Sequence, residues 1–214
     1  GAGQWEHAVQ SYLASVTFAD HCLGLVLDAL EKSEHSDNTI IALFSDHGFH
    51  LGEKERWAKR SLWEDGTRVP VVVAAPGHKA AQKTNRPAEL LDVFPTLLEL
   101  AGLPADSTQE GQSLVPLMKN PQREWNHPAI TSFGLGNYSV RSTRYRFIQY
   151  FDGSRELYDL SKDPHEWKNL IDNPKLEKVI QEHASFIPQK QHPILPGSST
   201  GHKAYAAAKK KLNK

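Results

Sequence analysis

Apolar residues recur at three- and four-residue spacing through Val9, Tyr12, Leu13, Val16, Leu23, Val26, Leu27 and Leu30. That spacing predicts a long helix over residues 5–34 with one apolar stripe turned to a core. Gly24 weakens the helix without breaking it, and the polar cluster from Ser33 to Asn38 ends it. The period then changes. Residues 39–45 and 69–75 are short β-branched runs and predict two buried strands, with Pro70 tolerable because it stands at a strand start. Between them lies a polar loop rich in Lys, Arg, His and Trp, entered through Asp46, His47 and a turning Gly48. Ligands of open α/β sheets bind beyond the carboxyl ends of strands, so Asp46 and His47 stand at a candidate site.

Farther along, Asp92 reads as the N-cap of a helix with Pro95 in its first turn and Leu97, Leu98 and Ala101 buried; Gly102 and Pro104 stop it. Beyond Gly111 the texture alternates in short runs, Ala129–Phe133, Tyr138–Ser142, Arg146–Phe151 and Glu156–Asp159, which predicts an antiparallel meander. Asn173 and Pro174 open a last helix reaching about Phe186. Residues 188–203 are rich in Pro, Gly and Ser, and Ala204 to Lys214 reads as a solvated or loosely docked basic tail. The first helix and strand are half of a βαβ unit whose upstream strand is absent, so the chain is expected to begin within a domain.

The chain has 214 residues, enough for one domain or one and a small part. Lys+Arg and Asp+Glu both number 25, so nothing global favours nucleic acid and any anion preference must be local. The single cysteine, Cys22, excludes an internal disulfide and a Cys-based zinc site, and its place on the core-facing helix predicts a packed small hydrophobe. No run approaches 18 uninterrupted apolar residues, and the sequence predicts neither membrane span nor signal peptide.

Ser45-Asp46-His47-Gly48 with Leu51-Gly52-Glu53, Trp57-Ala58-Lys59, Arg68-Val69-Pro70 and Pro76-Gly77 resembles the second half of the sulfatases, most closely the iduronate-2-sulfatase type within the alkaline-phosphatase superfamily. Flanking pieces fit the same order: Tyr12 to Val16, Asp92-Val93-Phe94-Pro95-Thr96-Leu97, Gly111-Gln112-Ser113-Leu114, and Leu157-Tyr158-Asp159-Leu160 with Asp163-Pro164. The resemblance implies an α/β fold, part of a doubly wound alkaline-phosphatase-like sheet followed by a small C-terminal antiparallel sheet with a packed helix. Its expected organisation is residues 1–125 as α/β domain with the site loop 46–68, 126–190 as α+β subdomain, and 191–214 as tail.

The same resemblance implies sulfate-ester hydrolysis of sugars, with calcium as cofactor and hydrated formylglycine attacking sulfur. Asp46 and His47 are then expected as calcium ligands. Lys59, thirteen residues past Asp46, is expected as a sulfate contact with a catalytic role alongside His47. His50, Arg56, Trp57, Trp63 and Arg68 are candidates for lining the substrate pocket, although Trp57 and Trp63 also read as loop packing and Glu53 with Arg56 as a local ion pair. Arg141, Arg144 and Arg146 read as a solvated strand face or a contact for a polyanion.

The formylglycine motif, Cys/Ser-x-Pro-x-Arg, does not occur, because Cys22 is followed by Leu23-Gly24-Leu25-Val26. A nucleophile in a missing N-terminal half is therefore expected, and this chain alone is expected to be silent. Sulfated oligosaccharide and that half are the expected partners, with self-association through the truncated sheet and no nucleic acid or membrane. Family resemblance implies a periplasmic, extracellular or lysosomal location. A phosphodiesterase or phosphonate monoester hydrolase of the same superfamily, or an anion-binding module, are the alternatives.

Overall fold

Alternation along the C-terminal strands decides where the core forms. In the computed structural model residues 2–190 are described, and the tail read over 191–214 lies outside them. Four strands run as an antiparallel meander, β5 Ala129–Ser132, β6 Tyr138–Arg141, β7 Tyr145–Gln149 and β8 Arg155–Asp159, paired in sequence order. Successive strand residues point to opposite faces. Val140, Phe147 and Leu157 therefore meet the closing helix α5, Glu177–Ser185, burying Ile180 and Ile187. Ile148 and Tyr158 point the other way and bury Leu62 from the site loop. Asn173 opens the last helical segment as expected, its side chain accepting the Lys175 N–H.

The N-terminal half is built differently. The helix read from the spacing is α1, Ala2–Glu31, followed by β1, Ile41–Phe44. The loop beyond carries β2, His50–Leu51, paired with β3, Trp57–Ala58, and one turn of helix, α2, Glu64–Thr67. β4, Val71–Ala74, returns antiparallel to β1 with Ile41 opposite Ala74 and Phe44 opposite Val71.

Two expectations are corrected here. The strands are not buried: Leu43, Phe44 and Val72 are exposed, because β1 and β4 pair only with each other among the described residues. Nor is α1 packed along its stripe. Cys22 is exposed, as are Leu13, Val16, Phe18, Leu25 and Val26. By length and composition alone α1 is long and apolar enough to cross a membrane. Its aromatic contacts are at the site loop, where Trp5 meets Trp57 and Tyr12 stacks on Phe49 at ring separations of 5.4 and 4.8 Å.

Between the halves, a 3-10 turn at Leu90–Asp92 leads into α3, Val93–Leu100, and α4, Val115–Lys119. Asp92 does not cap α3. Its buried carboxylate accepts the backbone N–H groups of Glu89 and Gln112 at 2.8 and 2.7 Å, holding the turn and the following loop together. Leu97 and Leu98 are only half-buried and Ala101 is exposed; the buried face of α3 is Val93 and Thr96, whose hydroxyl accepts Leu114 N–H.

Candidate active site

The end of β1 delivers Asp46 and His47 into the loop. Gly48 serves close approach here: its N–H donates to Gly66 O at 3.1 Å, and a Cβ would sit 2.1 Å from Asp65 O. This stitch brings the two ends of the loop together. His47 Nδ1 lies 2.8 Å from Gly48 O. A carbonyl only accepts, so Nδ1 carries the proton and Nε2 presents a lone pair. Lys59 Nζ donates to that lone pair at 2.6 Å, and Asp46 Oδ1 lies 3.4 Å from the same nitrogen. A carboxylate, an imidazole and an ammonium, up to thirteen positions apart in sequence, thus converge at the strand end. Ala58, just before Lys59, has a left-handed φ of 73°, as do Lys54 and Glu55 at 53° and 56°. Such residues persist only where surroundings over-determine them, each costing on the order of 1–3 kcal/mol.

The remaining candidates do not share one surface. Trp57 is exposed beside Lys59, its ring edge-on to those of Trp5 and Phe49. Arg56 folds onto the loop and donates to Arg60 O at 2.6 Å. Arg68 is largely exposed and 3.9 Å from Glu64 Oε1. Trp63 is a packing residue: its indole N–H donates to Glu156 Oε2 at 2.7 Å and its face lies 4.7 Å from Lys54 Nζ. His50 is corrected most strongly, being 1% exposed with Nε2 held at 2.6 Å to Ser61 Oγ. Burial pulls its pKa below the ordinary histidine value. Glu53 accepts Leu51 N–H at 2.7 Å instead of pairing with Arg56.

Beneath the loop is a buried charge network that the residue pattern did not announce. Arg146 forms ion pairs with Glu64 and, at 2.7 Å through Nε, with Glu166; it also donates to Leu62 O at 3.1 Å and Ser139 Oγ at 2.6 Å. Arg141 approaches Glu64 from the other side at 3.5 Å. Glu166 Oε2 accepts Glu64 N–H at 2.8 Å, and Glu166 O accepts Lys54 Nζ. Burial pushes the Glu64 carboxyl up, but Arg146 and Arg141 outweigh it and hold it below the usual range; at Glu166 burial prevails over Arg146 and the shift is upward. Arg144 pairs with Asp159 at 2.6 Å. The arginine cluster is therefore internal clamp and edge pairing, not a solvated face. The available signal was parity: Arg146 shares its strand face with Ile148.

The converging donors do not by themselves fit calcium, which takes about six to eight oxygens. Asp46 is exposed and suits a hard cation, but the Nε2 lone pair of His47 is already engaged by Lys59.

Residues 2–103 match the sulfatase family. A sulfatase of Formosa agariphila is 44% identical over 188 residues, covering 88% of this chain and 37% of that protein. A Delta 4,5-hexuronate-2-O-sulfatase of Bacteroides thetaiotaomicron is 30% identical over 198 residues, covering 86% and 41%. A solved structure described as a complex with its substrate D-glucosamine-2-N,6-O-disulfate matches with a TM-score of 0.67 at 29% identity, over 81% of this chain and 38% of that one. A phosphonate monoester hydrolase of Agrobacterium radiobacter matches at 26% identity and a TM-score of 0.69, over 78% and 37%. The chain thus spans 37% and 41% of the length of the two relatives. On the strength of these matches and of an α/β architecture shared with solved sulfatases, the chain belongs to the sulfatase family, with the alkaline-phosphatase-like fold.

Proposed function

We propose that the parent of this chain is a sulfuric ester hydrolase acting on sulfated sugars, of the iduronate-2-sulfatase type, dependent on calcium and formylglycine. The observation that carries this reading is the convergence of Lys59, His47 and Asp46 at the end of β1. An ammonium placed there acts as a point charge, binding a sulfate oxygen and neutralising the charge that grows on the sulfuryl group and leaving oxygen. His47, its Nδ1 proton tied to Gly48 O, keeps Nε2 turned to Lys59 and so orients the ammonium. Trp57 offers an apolar ring face to a sugar, and the exposed guanidinium of Arg68 suits a carboxylate or second sulfate. The named substrates of the two sugar-acting relatives support the class of substrate.

Formylglycine in the parent would supply the nucleophile, and calcium, held in part by Asp46, would draw off negative charge. The 214 residues contain no Cys/Ser-x-Pro-x-Arg motif, so by this reading they are expected to be silent by themselves. Export to a periplasmic, extracellular or lysosomal space goes with this reading. The Agrobacterium neighbour favours a second reading, in which the ester is a phosphonate.

Hydrolysis of an aryl sulfate and an aryl phosphonate, each with calcium, separates the cases. In the parent protein Lys59→Ala is expected to lower sulfate-ester turnover by about 10²–10³-fold. A preference for the phosphonate would overturn the sulfatase reading. Turnover by the isolated chain that Lys59→Ala removes would overturn its silence.

A further inference from the structure

His50, excluded from the open site, has an unexplained atom. Its Nε2 lies 2.6 Å from Ser61 Oγ, while Nδ1 is buried without a hydrogen-bond partner. In the tautomer that donates Nε2–H to Ser61, Nδ1 is a bare lone pair inside the protein. That is the arrangement of a metal-binding imidazole, whose second nitrogen donates its proton to a neighbouring acceptor. Two carboxylates accompany it: one donor atom from each of His50, Glu53 and Asp65 lies within 4.8 Å of the others.

We propose that His50, Glu53 and Asp65 bind a divalent cation of the zinc class beneath the loop that presents Lys59. One imidazole and two carboxylates suit such an ion. In a tetrahedral site bonds of about 2.0–2.2 Å place donors about 3.3–3.6 Å apart, so donors that lie within 4.8 Å of one another draw together by up to about 1.5 Å when the ion binds. Gly66 makes the approach possible, since a Cβ there would lie 2.3 Å from Ser61 Oγ and 3.1 Å from His50 Nε2. The ion would tie the Glu53 turn to α2, fixing both flanks of Lys59. It is separate from the calcium proposed at Asp46 and stands whichever ester the parent cleaves.

The test is titration of the chelator-stripped 214-residue chain with zinc chloride alone, read by calorimetry. One equivalent is expected. Glu53→Gln and Asp65→Asn should each weaken it on the order of tenfold or more, and Ser61→Ala by about 10- to 100-fold. Cys22→Ser and His35→Gln, remote exposed positions, should leave it unchanged. Absence of stoichiometric zinc, or equal retention by folded Glu53→Gln and Asp65→Asn, overturns the proposal. Should the variants fail to fold by circular dichroism, cobalt bound to the wild-type chain decides. An intense four- or five-coordinate visible spectrum supports the site, and a weak six-coordinate one overturns it.

Discussion

The β1–β4 ribbon and the β5–β8 sheet are made of similar β-branched and aromatic runs, yet one is open and the other closed. On the ribbon, Leu43, Phe44 and Val72 are exposed; on the sheet, Val140, Phe147, Ile148 and Leu157 are fully buried. The difference lies in what covers each face. The sheet has α5 on one side and the Leu62–Trp63 segment on the other, whereas the ribbon has only two strands among the described residues. A site loop that belongs to the ribbon by sequence therefore takes its rigidity from the sheet by packing. The candidate site side chains and their support come from different parts of the chain.

Arg146→Leu should break that division most severely. It leaves the buried Glu166 carboxylate without its counter-charge and Glu64 with only Arg141 and the exposed Arg68, and is expected to cost about 3–5 kcal/mol in urea unfolding. A loss below about 1 kcal/mol would mean that the clamp does not support the sheet. Trimming the same side chain in both regions sharpens the contrast. Phe147→Ala should cost about 3–5 kcal/mol, but Phe44→Ala in this chain stays within about 0.5 kcal/mol. Equal losses would show the ribbon to be covered in solution.

The smallest effect is the share of the pH slope that His183 contributes from the sheet half. Burial pulls His183 below its ordinary 6.5, with Nδ1 donating to Val179 O and Nε2 meeting Ser142 Oγ. As pH falls below 6.5 the unfolded chain takes up this proton first, so stability declines toward the lower folded pKa. His183→Gln should reduce that slope below pH 6.5; an unchanged slope would remove His183 from the account.

The meander and the long helix were legible because each has a period, two or three-and-four, and the sheet order follows from short turns between neighbours. Asp46, His47 and Lys59 were legible as a motif, although the 2.6 Å contact of Lys59 with His47 lies in a loop whose ends the Gly48 to Gly66 stitch closes. Exposure was not legible. A stripe such as that bearing Leu13 and Val16 states that a helix needs a partner without stating where the partner is. Nor was Arg146, because a charge on an inward strand position reads as solvated until Glu64 and Glu166, far away in sequence, supply its counter-charges. Trp63 and His50 read as sugar contacts for the same reason: residue type suggests recognition, while depth beneath the loop is set by Glu156 and Ser61.

Glu166 has a left-handed φ of 58° and receives the loop through Glu64 N–H and Lys54. The segment leading to it is a ladder of short bonds, Leu160 N–H to Arg144 O at 2.9 Å, Asp163 N–H to Asp159 O at 2.8 Å and Glu166 N–H to Asp163 O at 3.1 Å. The spacing between β8 and Glu166 therefore works as a ruler for the site. One residue inserted there would displace Glu166 and, with it, the floor under Lys59. At Asp106 to Glu110, where side-chain bonds from Asp106 reach only Thr108 and Gln109, the same insertion would pass unnoticed. Length variation in this chain is thus tolerated at residues 106–110 and disruptive between β8 and Glu166, a stretch far in sequence from the loop it supports.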